Sequence, residues 1–200
     1  MSNLARTARL RLVDTANRAG EDAPTLCEGW TTRDLATHLV IRERHPVAAL
    51  GIFMPKLEGK REEQERVYAA MPYSSLLGLV ASPPRWPPGR WPGVESVMNT
   101  AEYIVHHEDI RRAEIEWIPR RLSLPENRAV WTACRTALLP FAAKAEGRVT
   151  IVSPGFGQHS TGRKSGGSKG GAQGLTITGE PVEILLYLMG REDHALVDVK

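Results

Sequence analysis

Apolar residues recur at helical spacing through the first two thirds of the chain and at strand spacing near its end. Leu4, Ala8, Leu12, Thr15 and Ala19 mark one face of a helix over residues 3–19, ended by Gly20. Thr31 then precedes Asp34 by three positions in the manner of a capping box, opening a helix to about His45, where Pro46 kinks or ends it. Leu35, Ala36, Leu39 and Val40 form its apolar side. An apolar stretch follows to Met54, and further helices are expected at residues 58–70, 73–81, 94–114 and 126–145. The proline-rich stretch S82-P-P-R-W-P-P-G-R-W-P-G93 reads as an extended loop, with Trp86 and Trp91 as packing plugs.

The last third changes character. R148-V-T-I-V152 and L175-T-I-T178 alternate β-branched residues and are expected to pair as strands. Glu180 to Gly190 suits a short helix with Pro181 in its first turn and Gly190 at its end, and residues 195–199 suit another strand. The pattern divides the chain into a helical part, residues 1–120, and a small α/β part, residues 121–200. A glycine-rich, mobile loop is expected at residues 155–174.

Composition narrows the picture only slightly. Lys and Arg number 26 against 23 acidic residues, and the net charge of +3 is too small to imply a nucleic-acid or membrane partner. No stretch approaches a membrane span, and the charged N-terminus lacks the apolar core of a secretory signal, so a cytoplasmic protein is expected. The two cysteines, Cys27 and Cys134, make neither a CxxC motif nor a disulfide framework and read as reduced thiols. The run E58-G-K-R-E-E-Q-E-R66 reads as a solvated helix face.

Chemistry concentrates in N99-T-A-E-Y-I-V-H-H-E-D-I-R-R-A113. Glu102 and His106, four apart, lie one above the other on a helix and suit a shared metal ion. At about 100° per residue, Val94, Val97, Met98, Ala101 and Val105 form the buried stripe, with Glu102, His106 and Asp109 along its margin. His107 is turned away and is expected to face solvent. Helical bundles build metal sites at such margins, although the same ridge also arises from side chains that only hydrogen-bond one another. His38, in W30-T-T-R-D-L-A-T-H-L39, is the strongest candidate for a third ligand, with His45 as an alternative.

Other motifs fail. G157-Q-H-S-T-G162-R-K-S165 resembles a P-loop, but Lys164 comes one place too late and glycines follow where a helix is required. A floppy hairpin tip is the better reading. Arg163, Lys164 and Lys169 lack the aromatic interleaving of a nucleic-acid-binding loop. No G-x-S-x-G elbow supports a hydrolase triad.

Three segments carry a family resemblance. L26-C-E-G-W-T-T-R-D-L-A-T-H-L39 resembles the opening motif of the mycothiol-dependent maleylpyruvate isomerase N-terminal domain, within the wider DinB/YfiT-like superfamily. E102-Y-I-V-H-H-E-D-I-R-R-A113 resembles its second motif, and T176-I-T-G-E-P-V-E-I-L-L-Y-L-M-G-R191 resembles the ending of actinobacterial members with a small α/β appendage. The resemblance implies a mainly α chain: a DinB-like up-down four-helix bundle followed by that appendage. It implies a divalent metal, zinc or a similar ion, held by His38, Glu102 and His106, with Asp109 and Arg112 in supporting roles. It also implies a low-molecular-weight thiol such as mycothiol as partner, for isomerase or S-transferase chemistry on an electrophile. No clear match for the isomerase's substrate-contacting arginine is present. The alternative is a non-catalytic protein in which the ion ties two helices together.

Overall fold

A computed structural model describes residues 3–52, 54–82, 94–145, 147–161 and 174–200. Helix α1 (Asn3–Ala19) buries Ala5, Ala8, Leu12 and Ala16, while Ala19 is exposed. The buried stripe is thus rotated from the expected one, toward Arg9. That rotation carries Arg9 into the core, only 1% exposed. Its guanidinium donates to Glu43 Oε1 and Oε2 at 2.7 and 2.8 Å, and to the Val80 carbonyl at 2.5 Å. It also reaches the Tyr103 hydroxyl, which itself donates to Glu43.

This one clasp joins four helices. Besides α1 it takes in α2 (Thr32–Arg44), α5 (Tyr73–Ala81) and α6 (Val94–Arg111). Between α2 and α5 lie the short α3 (Pro46–Ala49) and α4 (Glu58–Ala69). Helix α1 packs on α6 and α5, and α2 packs on α5 and α4. Breaking a buried, hydrogen-bonded ion pair by removing one partner costs on the order of 3–5 kcal/mol, so the clasp strongly favours one arrangement of these helices.

Local signals explain the helix starts. Thr31 Oγ1 accepts from the Asp34 backbone N–H, and Asp34 Oδ2 accepts from the Thr31 backbone N–H, completing the capping box of α2. Pro46 ends α2 and begins α3, because its ring has no N–H to continue the ladder. The run 58–66 forms a largely solvated face of α4, as expected. Trp86 and Trp91, expected as plugs, lie outside the described residues.

The chain divides into two compact units, Met1–Ile118 and Pro119–Lys200. In the second, α7 (Leu124–Lys144) begins at a Ser123–Glu126 capping box. Helix α8 (Pro181–Leu188) packs against α7. A small sheet has the order β2 (Gly157–Thr161), β1 (Val149–Ser153), β3 (Leu175–Thr178), β4 (Asp198–Val199). Strand β1 pairs parallel with β3, which pairs antiparallel with the two-residue β4.

The sheet brings one correction. Residues 157–161, read from sequence as part of a loop, form β2 (Gly157–Thr161), antiparallel to β1. The glycine count hid the Gln158–Thr161 run, whose backbone completes a ladder with β1 and whose side chains are exposed or half-buried. The remainder of the expected mobile loop, residues 162–173, lies outside the described residues. Among the described residues, no helix is long and apolar enough to cross a membrane.

Candidate metal centre

Helix α6 sets Glu102 and His106 one turn apart, and α2 sets His38 opposite them. His106 Nε2 lies 3.2 Å from Glu102 Oε1, and His38 Nε2 lies 3.5 Å from the same oxygen. The two imidazole rings meet edge-on with centroids 5.5 Å apart. One donor atom from each of His38, Glu102 and His106 lies within 4.8 Å of the other two. The site is partly open to water, with side chains 17%, 20% and 10% exposed for His38, Glu102 and His106.

Neighbours hold these side chains in place. The Trp30 ring packs 5.3 Å from the His38 ring, centroid to centroid. Arg42, one turn beyond His38, brings its Nε to 3.3 Å from Glu102 Oε1 and donates through Nη1 to Asn99 Oδ1 at 3.0 Å. On the far side of His106, Nδ1 lies 2.8 Å from Asp109 Oδ2. An ionised carboxylate only accepts hydrogen bonds, so Nδ1 carries the proton. That fixes the ring and aims Nε2 at the other two donors, the usual way a carboxylate orients a metal-binding histidine.

The electrostatics follow from the same contacts. Burial opposes ionisation of Glu102, but hydrogen bonds from His106 and His38 and the charge of Arg42 outweigh it. Its carboxyl is held well below the usual carboxylate range. Burial likewise opposes charging of His106. Its contacts with Asp109, Cys27 and Glu102 prevail and raise its pKa well above the ordinary value.

Other expected residues fall in different places. Asp109 is fully buried and touches the site through His106. Arg112 is also buried, donating from Nε to Glu108 Oε2 at 2.8 Å and lying over the Trp117 ring at 4.2 Å, so it braces the end of α6. His45, the alternative ligand, hydrogen-bonds the Tyr68 hydroxyl at 2.8 Å and belongs to neither cluster of potential ligands among the described residues. His107, expected in solvent, is 5% exposed, with its Nε2 2.8 Å from Thr15 Oγ1. Every residue from Tyr103 to Ile110 is buried, so this part of α6 has no wet face on which His107 could lie.

Sequence reasoning assigned no role to Arg42 or Cys27. Arg42 follows His38 by one turn, which places both on one face of α2. Cys27 lies inside the first of the motifs quoted above, and its Sγ is 3.3 Å from Asp109 Oδ2. With His106 and Asp109 it forms a second cluster of potential ligands.

Two imidazoles and a carboxylate on facing helices fit zinc or a similar divalent ion, which takes nitrogen and oxygen ligands readily. Three nitrogens, from His38, His106 and Arg42, converge on one oxygen of Glu102.

The chain is a mainly helical protein of the DinB-like fold with a small four-stranded sheet. Residues 3–82 match the model of the mycothiol maleylpyruvate isomerase N-terminal domain, so the family found is the one the motifs suggested. That match takes in His38 and ends before Glu102 and His106. Two solved structures resemble the whole chain. One is mycothiol-dependent maleylpyruvate isomerase, at 14% identity and a TM-score of 0.63, over 98% of this chain and 90% of that one. The other is a histidine-to-alanine mutant of a mycothiol-dependent maleylpyruvate isomerase, at 13% identity and a TM-score of 0.61, with the same coverage. No curated protein matches the sequence.

Proposed function

We propose that this protein binds a divalent metal ion, zinc or a similar one, through His38, Glu102 and His106, and uses the open site to hold a low-molecular-weight thiol for isomerase or S-transferase chemistry. The observation that supports this reading most is the convergence of His38 Nε2 and His106 Nε2 on Glu102 Oε1, with Asp109 orienting His106 from behind. Three protein ligands leave a coordination position for a substrate, as catalytic zinc sites do. The similarity to mycothiol-dependent maleylpyruvate isomerase makes mycothiol the first thiol to try.

Charge favours an anionic partner. A dication neutralised only by Glu102 keeps one positive charge, and Arg42 adds another at the rim. A thiolate entering there is offset by both. When bound, the ion would lower the pKa of a thiol reaching it, so that the thiol is held as thiolate near neutral pH. The chain's own residues do the rest. Asp109 keeps His106 in one tautomer, Trp30 restricts the ring of His38, and Arg42 holds Glu102 ionised and faces the incoming anion.

The test is elemental analysis combined with thiol-binding calorimetry, performed in a Cys27→Ser background to remove the neighbouring thiol. The zinc-loaded protein is expected to hold one ion per chain and to bind mycothiol. The added changes His38→Ala or Glu102→Gln are expected to lose both. Ion retention in both variants would refute the ligand set, and an ion that admits no thiol would support a purely structural metal.

A further inference from the structure

The shared histidine has two faces, and each meets a carboxylate. Its Nε2 meets Glu102 Oε1 at 3.2 Å and its Nδ1 meets Asp109 Oδ2 at 2.8 Å. On the Asp109 side the third group is Cys27, whose thiol donates to Asp109 Oδ2 at 3.3 Å. From these contacts we infer that Cys27, His106 and Asp109 form a second cation site, one that takes a soft, thiophilic divalent ion, cadmium in preference to zinc.

The separations are close to those a bound ion requires. Tetrahedral coordination with metal–sulfur near 2.3 Å and metal–nitrogen or metal–oxygen near 2.1 Å sets sulfur and oxygen about 3.6 Å apart, and nitrogen and oxygen about 3.4 Å. The present distances of 3.3 Å and 2.8 Å need to open by about 0.3 and about 0.6 Å. All three donor atoms already lie within 4.8 Å of one another.

The loop that carries Cys27 is fixed for this purpose. Leu26 N donates to the Asp109 carbonyl at 3.0 Å, tying the loop to α6 next to the site. Thr25 Oγ1 accepts from Cys27 N at 3.2 Å, and Cys27 O accepts from Trp30 N at 2.9 Å. The thiol is therefore held against Asp109 from both sides in sequence.

Charge and tautomer complete the case. A thiolate and a carboxylate neutralise a dication in full, which suits a site whose Asp109 is wholly buried. Binding displaces the Cys27 thiol proton and the His106 Nδ1 proton to solvent. The remaining Nε2–H then donates to Glu102 Oε1. Each cluster thus supplies the carboxylate that orients His106 for the other, and softness of the ion selects between them. Neutral His106 retains one N–H, so the two clusters share one ion at a time.

Cadmium titration of the metal-free protein tests the site, read by the near-ultraviolet sulfur-to-cadmium charge-transfer absorption. One equivalent is expected to produce the band in wild type and in His38→Ala, which lacks the other ligand set. Cys27→Ser is expected to abolish it and to weaken cadmium binding at least tenfold in the His38→Ala background. Cys27→Ser with an intact His38 separates the two sites. Ion binding kept there supports the Nε2 site, and its loss leaves the Cys27 site to stand alone if the band persists in His38→Ala. No band in wild type, or an equal band in Cys27→Ser, would overturn the inference.

Discussion

Asp109 Oδ2 sits 2.8 Å from Nδ1 of His106 and holds the ring with Nε2 turned toward Glu102 and His38. The contact lies within α6, three residues apart, yet it governs a site assembled with α2. Replacing Asp109 by Asn keeps the shape and removes the charge that fixes the tautomer. Zinc affinity, measured by competition with a chromophoric chelator, is expected to fall by roughly 10–100-fold, the usual effect of losing a carboxylate behind a ligand histidine. Unchanged affinity would show that His106 needs no such support.

The Arg9–Glu43–Tyr103 clasp should dominate the stability of the first unit. Glu43→Ala leaves Arg9 charged and buried, and is expected to cost about 3–5 kcal/mol in urea unfolding. Tyr103→Phe keeps the ion pair and is expected to cost about 1 kcal/mol. Equal losses in the two variants would contradict the ranking.

The two thiols should separate under native alkylation. Cys134 is fully buried with its Sγ 3.2 Å from the Pro181 carbonyl, and burial pushes its thiol well up from the ordinary value. In the metal-free folded protein, mass spectrometry after iodoacetamide treatment is expected to find Cys27 modified first and Cys134 only after unfolding. Early modification of Cys134 would contradict its burial.

The pH dependence has opposite senses with and without metal. In the metal-free protein the raised pKa of His106 contributes stability that is full below about 6.5. That contribution is lost as pH rises through the elevated folded value. Glu102, held low, contributes stability above its ordinary value that is lost as pH falls through the depressed one. His106→Gln is expected to flatten the alkaline side of the stability profile from urea unfolding. A metal competes with the His106 proton, so zinc affinity is expected to rise over the range in which metal-free stability falls.

Much of the fold is readable in the sequence because its signals are local. The Thr31–Asp34 box, Gly20 after α1 and the β-branched runs at 149–152 and 175–178 act within a few residues of themselves. What escapes is tertiary. Arg9 looks like a surface residue until Glu43 and Tyr103, far along the chain, meet it. His107 looks solvated because periodicity assumes one wet face, which Tyr103 to Ile110 do not have. Strand β2 is concealed because glycines flank a polar run that only β1 makes into a strand. Likewise, spacing links Glu102 to His106, but only the meeting of α2 with α6 adds His38 and Arg42, and only the loop tie at Leu26 adds Cys27.

The most direct test of a thiol-binding metal centre is the near-ultraviolet and visible spectrum of the cobalt-substituted Cys27→Ser protein titrated with mycothiol. A sulfur-to-cobalt charge-transfer band that grows and saturates at one thiol per chain is expected, and it should be absent when His38→Ala is added. A cobalt-loaded protein whose spectrum ignores saturating thiol, or a band of equal strength without His38, would contradict the assignment of His38, Glu102 and His106 as the centre that receives it.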